Sequence, residues 1–142
     1  MAILRSAGGI AAVAVLLFAP LAPAAAQDVT QDVTRDMDFT AAKAAADADE
    51  ASLAEDARAA VFDQQRAFLD AGVSACADLK STAQLEDFVV VVRLDDSGTV
   101  VRTWRRGDSP LALCIERQSR GKVMFVPPRA PFHASLEVTF EP

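Results

Sequence analysis

The sequence predicts an α+β domain with the order helix, β-hairpin, helix, strand: a small three-stranded antiparallel sheet packed on two helices. Three observations predict it. Phe88-Val-Val-Val-Val-Arg-Leu94 and Thr99-Val-Val-Arg-Thr-Trp104 flank Asp95-Asp-Ser-Gly98, the pattern of a hairpin and its turn. Apolar residues recur at helical spacing ahead of the hairpin, and a capped-helix signal follows it. Phe132 to Phe140 then alternates apolar with polar residues, the period of a half-buried strand.

Residues 1–26 read as a secretory signal, with Arg5 as the positive start, Ile10 to Leu21 as the apolar run and Ala24-Ala-Ala26 as a small-residue cleavage site. The run is shorter than the about 20 apolar residues of a membrane span, and Pro20 and Pro23 interrupt it. Cleavage is therefore expected rather than retention as an anchor. The mature chain is expected in the periplasm or secreted, with no stable membrane insertion.

Charge is distributed unevenly: residues 28–63 hold ten acidic and three basic side chains, whereas residues 64–142 hold ten of each. Nucleic acid is excluded as a partner, because that would need a basic face. Residues 27–59 form an acidic, alanine-rich leader, disordered or helical. Its start, Gln27-Asp-Val-Thr-Gln-Asp-Val-Thr34, is a polar tandem repeat of four residues with nothing to build a core, and disorder is expected there. From Thr40, a suitable N-cap, eleven alanines fall between Ala41 and Ala60. Alanine favours helix, but only Leu53 offers a side chain to bury before about residue 56, so a solvated helix or frayed linker is expected.

A packing stripe appears next. Phe62, Leu69, Val73 and Cys76 line up at 3.6 residues per turn, flanked by Val61 and Phe68, which turns the Cys76 sulfur inward. Residues 77–86 are polar and read as a loop. In the first hairpin strand Phe88, Val90, Val92 and Leu94 share one face and Val89, Val91 and Arg93 the other; both faces are largely apolar, as in a strand covered on both sides. Gly98 supplies the positive φ that the turn requires. The second strand alternates Val101, Thr103 and Arg105 against Val100, Arg102 and Trp104.

Ser109-Pro110 starts the next helix, a capping hydroxyl followed by proline where no hydrogen-bonding N–H is needed. Leu111, Cys114 and Ile115 point inward. Gly121 closes the helix, and Arg117, Arg120 and Lys122 suit the negative end of its dipole. Pro127-Pro128 makes the passage after Val123 an extended connection. In the last strand Ala134, Leu136, Val138 and Phe140 would face the core, and His133, Ser135, Glu137 and Thr139 the solvent. An exported chain lets Cys76 and Cys114 pair, and both are core-facing by spacing; closing that loop would stabilise the fold by roughly 4 kcal/mol in the chain-entropy treatment.

In its order of elements the chain resembles the C-terminal domain family of TonB. The residues that carry the likeness are Phe88-Val-Val-Val-Val-Arg-Leu-Asp-Asp-Ser-Gly-Thr-Val100, Ser109-Pro-Leu-Ala-Leu-Cys114, Phe125-Val-Pro-Pro128 and Leu136-Glu-Val-Thr-Phe140, within about residues 60–142. A cysteine ahead of the hairpin and another in the second helix is similar to the disulfide-bearing branch at the ends of gliding-motility-type envelope proteins. The resemblance implies a non-enzymatic envelope domain that adds an extended segment of another envelope protein to a sheet edge. A cleavable signal and the lack of a Pro-rich spacer leave only this binding module to carry over, not force transmission.

Residue chemistry points the same way. His133 is the only histidine, whereas a metal site needs several converging ligands, so no metal or cofactor is expected. A Cys–His nucleophile pair would need a free thiolate, which a disulfide removes. Asp95 and Asp96 read as turn formers rather than as an acid–base pair. No catalytic residue is assigned. Arg102, Trp104, Arg105 and Arg106 form the one cluster with binding character, Trp and Arg being the residues that dominate interface hot spots; the competing reading places Trp104 in the core. Two other functions stay open: a secreted structural protein that self-associates as a homodimer, and a small thiol-dependent enzyme.

Overall fold

The computed structural model describes residues 37–79 and 85–141. The expected signal, the tandem repeat of the leader and most of the loop after residue 79 lie outside the described residues. In chain order the elements are α1 (Phe39–Ala51), α2 (Glu55–Ala75), a 3-10 turn (Ala77–Leu79), β1 (Phe88–Leu94), β2 (Val100–Arg106), α3 (Pro110–Ser119) and β3 (Phe132–Val138). The fold class is the predicted one. Its sheet is antiparallel throughout with order β2-β1-β3, so the valine-rich strand is central.

That position explains the valine run. On one face Phe88, Val90, Val92 and Leu94 pack with Phe132, Ala134 and Leu136 under α2 and α3, together with Leu111, Cys114, Ile115 and Phe125. On the other, Val89, Val91 and Trp104 pack against Ala42 and Ala46 of α1. A strand covered on both sides has no solvent face to mark with polar residues.

The second layer corrects the expectation of a solvated alanine-rich leader. Phe39, Ala42, Ala46 and Asp49 recur at helical spacing on one face of α1, and Ala42 and Ala46 are fully buried. Alanine brings the helix backbone close to the sheet while contributing little apolar signal of its own. The N-cap is Asp38, not Thr40: its Oδ1 accepts the Ala41 N–H at 2.8 Å, which leaves Thr40 inside the first turn.

Helix α2 is turned relative to the predicted stripe. Val61 is buried and Phe62 is exposed, because the inward line runs Val61, Gln65, Phe68 and Cys76, with polar Gln65 disguising its phase. Cys76 and Cys114 are joined, with Cα atoms 6.1 Å apart, as expected. Helix α3 starts at Pro110 under a Ser109 cap and Gly121 follows it with φ of 71°, both as read from the sequence. Strand β3 stops at Val138, short of Phe140, whose N–H donates to the Asp87 carboxylate at 2.9 Å instead of continuing the ladder.

In the hairpin turn the Asp95 carboxylate accepts the N–H groups of Ser97 and Thr99 at 2.9 and 3.0 Å, and Gly98 takes φ of 80°. A Cβ at Gly98 would lie 2.1 Å from the Phe125 carbonyl oxygen. The Gly98→Ala variant therefore meets both a left-handed backbone penalty and a backbone clash. It is expected to lose at least about 2 kcal/mol in urea unfolding. A loss under about 0.5 kcal/mol would mean that the turn relaxes freely.

Candidate functional site

A three-stranded sheet has two outer edges, and unpaired backbone there is what an extended chain can pair with. The two edges of this sheet differ.

The β3 edge is closed by α1. The Asp49 carboxylate accepts the His133 N–H at 2.7 Å, and Glu50 Oε1 accepts the Ser135 N–H at 2.9 Å. Two side-chain carboxylates thus stand where a neighbouring strand's carbonyls would be. Asp49 is fixed further by Arg129 Nη2 at 2.6 Å and lies 3.1 Å from His133 Nδ1; Gln65 Nε2 donates to Glu50 at 2.8 Å. Burial pushes the Glu50 carboxyl above its ordinary range, although the bonds from Ser135 and Gln65 oppose the shift. Lys43 adds an ion pair to Glu137 at 2.9 Å along the same edge.

His133 therefore departs from expectation. The alternation correctly put it on the face away from the main core, but that face has a lid. His133 is buried between Asp49 and the Trp104 ring, whose centroid is 5.9 Å away. A catalytic base has to reach a substrate proton. The second ring nitrogen, Nε2, is shielded from solvent and has no hydrogen-bond partner among the described residues, so the pair fastens α1 to β3.

The β2 edge follows from the same register. His133 and Ser135 turn their backbone groups outward, so their partners Arg93 and Val91 direct theirs toward β2, to Arg102 and Trp104. Thr103 and Arg105 then direct their N–H and C=O groups away from the sheet. At the start of β2 the outside is occupied: the Val100 N–H donates to Lys122 O at 2.8 Å, and the Gly121 N–H to Val100 O at 2.9 Å. Further along, the outward backbone of Thr103 and Arg105 has no backbone partner among the described residues.

Side chains flank this open length on both faces. On the α1 side, the Arg102 guanidinium lies 4.8 Å from the Trp104 ring centroid and that of Arg106 lies 5.0 Å from the Phe39 ring. On the α3 side, Thr103 Oγ1 and Arg105 Nε donate to Glu116 at 2.9 and 3.0 Å, and Arg120 Nη2 joins them at 2.7 Å. Burial pushes the Glu116 carboxyl up, but the bonds from Thr103, Arg105 and Arg120 together outweigh it and hold the group below its ordinary range.

The four residues of the predicted binding cluster are thus on one strand but not on one surface. Trp104 is 8% exposed, packs with Val89 and Val91, and donates from Nε1 to the Met37 carbonyl at 2.7 Å, so the core reading applies to it. Arg105 lies on the opposite face from Arg102 and Arg106, engaged by Glu116 and Asp108. The strand's period of two separates them. Asp49, Glu50, Gln65 and Arg129 were not foreseen. An Asp-Glu pair at the end of an acid-rich helix carries no local sign that it will meet a strand more than eighty positions away.

Both cysteines of the chain are in the Cys76–Cys114 bond, so a thiol nucleophile would first require its reduction. Among the described residues no three His, Cys, Asp or Glu side chains converge in a metal-binding group, and no helix is long and apolar enough to cross a membrane. A hollow of about 350 Å³ between α2 and α3 is lined by Phe68, Gly72, Ile115, Lys122 and Val123 and reaches β3 at Leu136. Comparison with family models, with curated proteins and with solved structures found no match.

Proposed function

We propose that this chain is a non-enzymatic interaction domain of the cell envelope, periplasmic or secreted and similar to the TonB C-terminal domain. It captures an extended segment of another envelope protein by adding it to the outer edge of β2. The observation that carries this reading is the asymmetry of the sheet. One edge is spent on carboxylates from α1, while the other presents outward backbone groups at Thr103 and Arg105. In strand addition the main-chain bonds supply affinity and the flanking side chains supply selectivity. Here the flanking set is Arg102, Arg106, Thr103 and Arg105.

The same edge disfavours one register of the self-associating alternative. Two β2 strands paired antiparallel about a two-fold axis at Trp104 would set Arg102 against the partner's Arg106, and like charges directly opposite each other are unfavourable.

The test is to select binders from a library of unstructured peptides and map them by amide chemical shifts. The shifts are expected to concentrate in residues 101–106. N-methylation of alternate peptide amides, which removes main-chain donors and leaves the side chains, is expected to weaken binding at least tenfold. Shifts confined to the hollow between α2 and α3, or undiminished binding of the methylated peptides, would overturn the reading. Sedimentation as a dimer would favour self-association.

A further inference from the structure

We propose that the hollow between α2 and α3 is a binding site for a free, single-chain carboxylic acid of medium length. The site is separate from the strand-accepting edge of β2, and neither reading depends on the other.

The walls set the size and the polarity of the ligand. Phe68 and Leu69 of α2, Ile115 of α3 and Leu136 of β3 make them apolar, and the volume of about 350 Å³ is that of a small-molecule site. A methylene takes roughly the 30 Å³ share of a liquid water, so a chain of about ten carbons fills the space. Gly72 leaves it open. Glycine inside a helix is less stable than alanine, yet a Cβ added at Gly72 would meet nothing within 4 Å. Packing therefore does not require a glycine there, and the missing side chain is part of the hollow. The disulfide joins the residue after Ala75 to the residue before Ile115, both of them wall residues, which fixes the separation of the two helices before a ligand arrives.

Charge sets the head group. Lys122 is the only charged residue of the lining among the described residues. It is exposed and has no ion pair among them. The carbonyl end of α3 offsets only about half of a unit charge, so the mouth stays positive. Gln118 adds an amide donor beside it, whereas the Ser119 hydroxyl is engaged by the Ile115 carbonyl at 2.8 Å. One ammonium on an apolar hollow matches one carboxylate; a phosphate would call for more donors. Orientation follows from the neighbouring hollow of about 360 Å³, which shares Leu69 and Leu136 and carries Glu50 and Glu137 against the single cation Arg66. That end repels an anion. The head therefore sits at Lys122 and the tail runs toward Leu69 and Leu136.

Calorimetric titration of the oxidised chain with decanoate tests this. One-to-one saturation with a Kd below about 1 mM is expected, with amide shifts confined to residues 68–75, 115–123 and 136. Octanoate, two methylenes shorter, is expected to bind about tenfold more weakly, because less of the hollow is filled. Gly72→Leu puts a side chain into the space and raises helix propensity; it is expected to bind decanoate at least tenfold more weakly with no fall in its urea midpoint. Lys122→Gln is expected to weaken decanoate about threefold and to leave decanol unchanged. Absence of saturation, equal affinity for the two chain lengths, or undiminished binding by Gly72→Leu overturns the site. Equal effects of Lys122→Gln on decanoate and decanol overturn the carboxylic acid as its ligand. Retention on phosphatidylglycerol vesicles that Gly72→Leu abolishes, without decanoate binding, would give the hollow to a membrane lipid and overturn the free acid.

Discussion

Replacing Asp49 with alanine is expected to lower the stability of the domain by about 3 kcal/mol and to release α1 from the sheet. Asp49 is buried and its carboxylate holds three groups at once: the His133 N–H, the His133 ring and the Arg129 guanidinium. Arg129 is more than half exposed, so its ion pair contributes little once water can replace it. The cost comes from His133, whose backbone N–H and ring are left buried without an acceptor. Apart from Glu50 on Ser135, Lys43 on Glu137 and the Met37–Phe39 end, helix α1 has little else to resist with. Its inward face is built on Ala42 and Ala46, and the small apolar area of alanine gives a shallow hold. Asp49→Asn keeps one acceptor oxygen and is expected to lose about half as much.

Two readouts check this. Urea unfolding gives the loss of stability, and fluorescence of Trp104, the only tryptophan, reports whether α1 has lifted from the face it covers. A red-shifted emission under native conditions is expected for Asp49→Ala. A loss below about 0.5 kcal/mol would show that the carboxylate is not what fastens the helix. The variant also uncovers the β3 edge, so a second strand-accepting edge and a tendency to associate are expected to accompany the loss.

The same residues explain how far the fold was legible in the sequence. The hairpin, the Ser109-Pro110 cap, the period of β3 and the inward cysteines rest on neighbours two to four positions apart, and short-range spacing fixes all of them. The lid over the second face rests on nothing local. Asp49 and His133 are 84 positions apart, and the buried side of α1 is alanine and aspartate, residues that equally suit a solvated helix. The apolar Val89 and Val91 did show that a cover was needed, without showing which segment supplied it. Gln65 misled in the opposite sense: its inward position serves Glu50, so the polar residue in the stripe belongs to the closure of the β3 edge rather than to solvent. For the candidate site, β2 was identified by its arginines and tryptophan. Which of its neighbours leave an edge open depends on hydrogen-bond phase, and phase is set by the pairing partner.

Breaking the Cys76–Cys114 bond, by reduction or by Cys76→Ala with Cys114→Ala, is expected to cost about 4 kcal/mol, the chain-entropy value for this loop length. The bond closes a sequence separation of 38 residues and ties the C-cap of α2 to the middle of α3. Phe68, Leu69 and Val73 of α2 are only partly buried against the core, so the helix leans on the crosslink more than on its own apolar face. For a domain whose net stability lies within about 5–15 kcal/mol, such a loss takes away a quarter or more. Urea midpoints of the oxidised and reduced chains measure it directly. Hydrogen exchange on the reduced chain is expected to show α2 opening before the sheet does, because β1 is held on both faces whether or not the sulfurs are joined. A reduced chain within about 1 kcal/mol of the oxidised one would place the hold of α2 in its apolar contacts instead. A chain that loses this much on reduction is more stable where thiols oxidise, which is the kind of compartment the proposed role calls for.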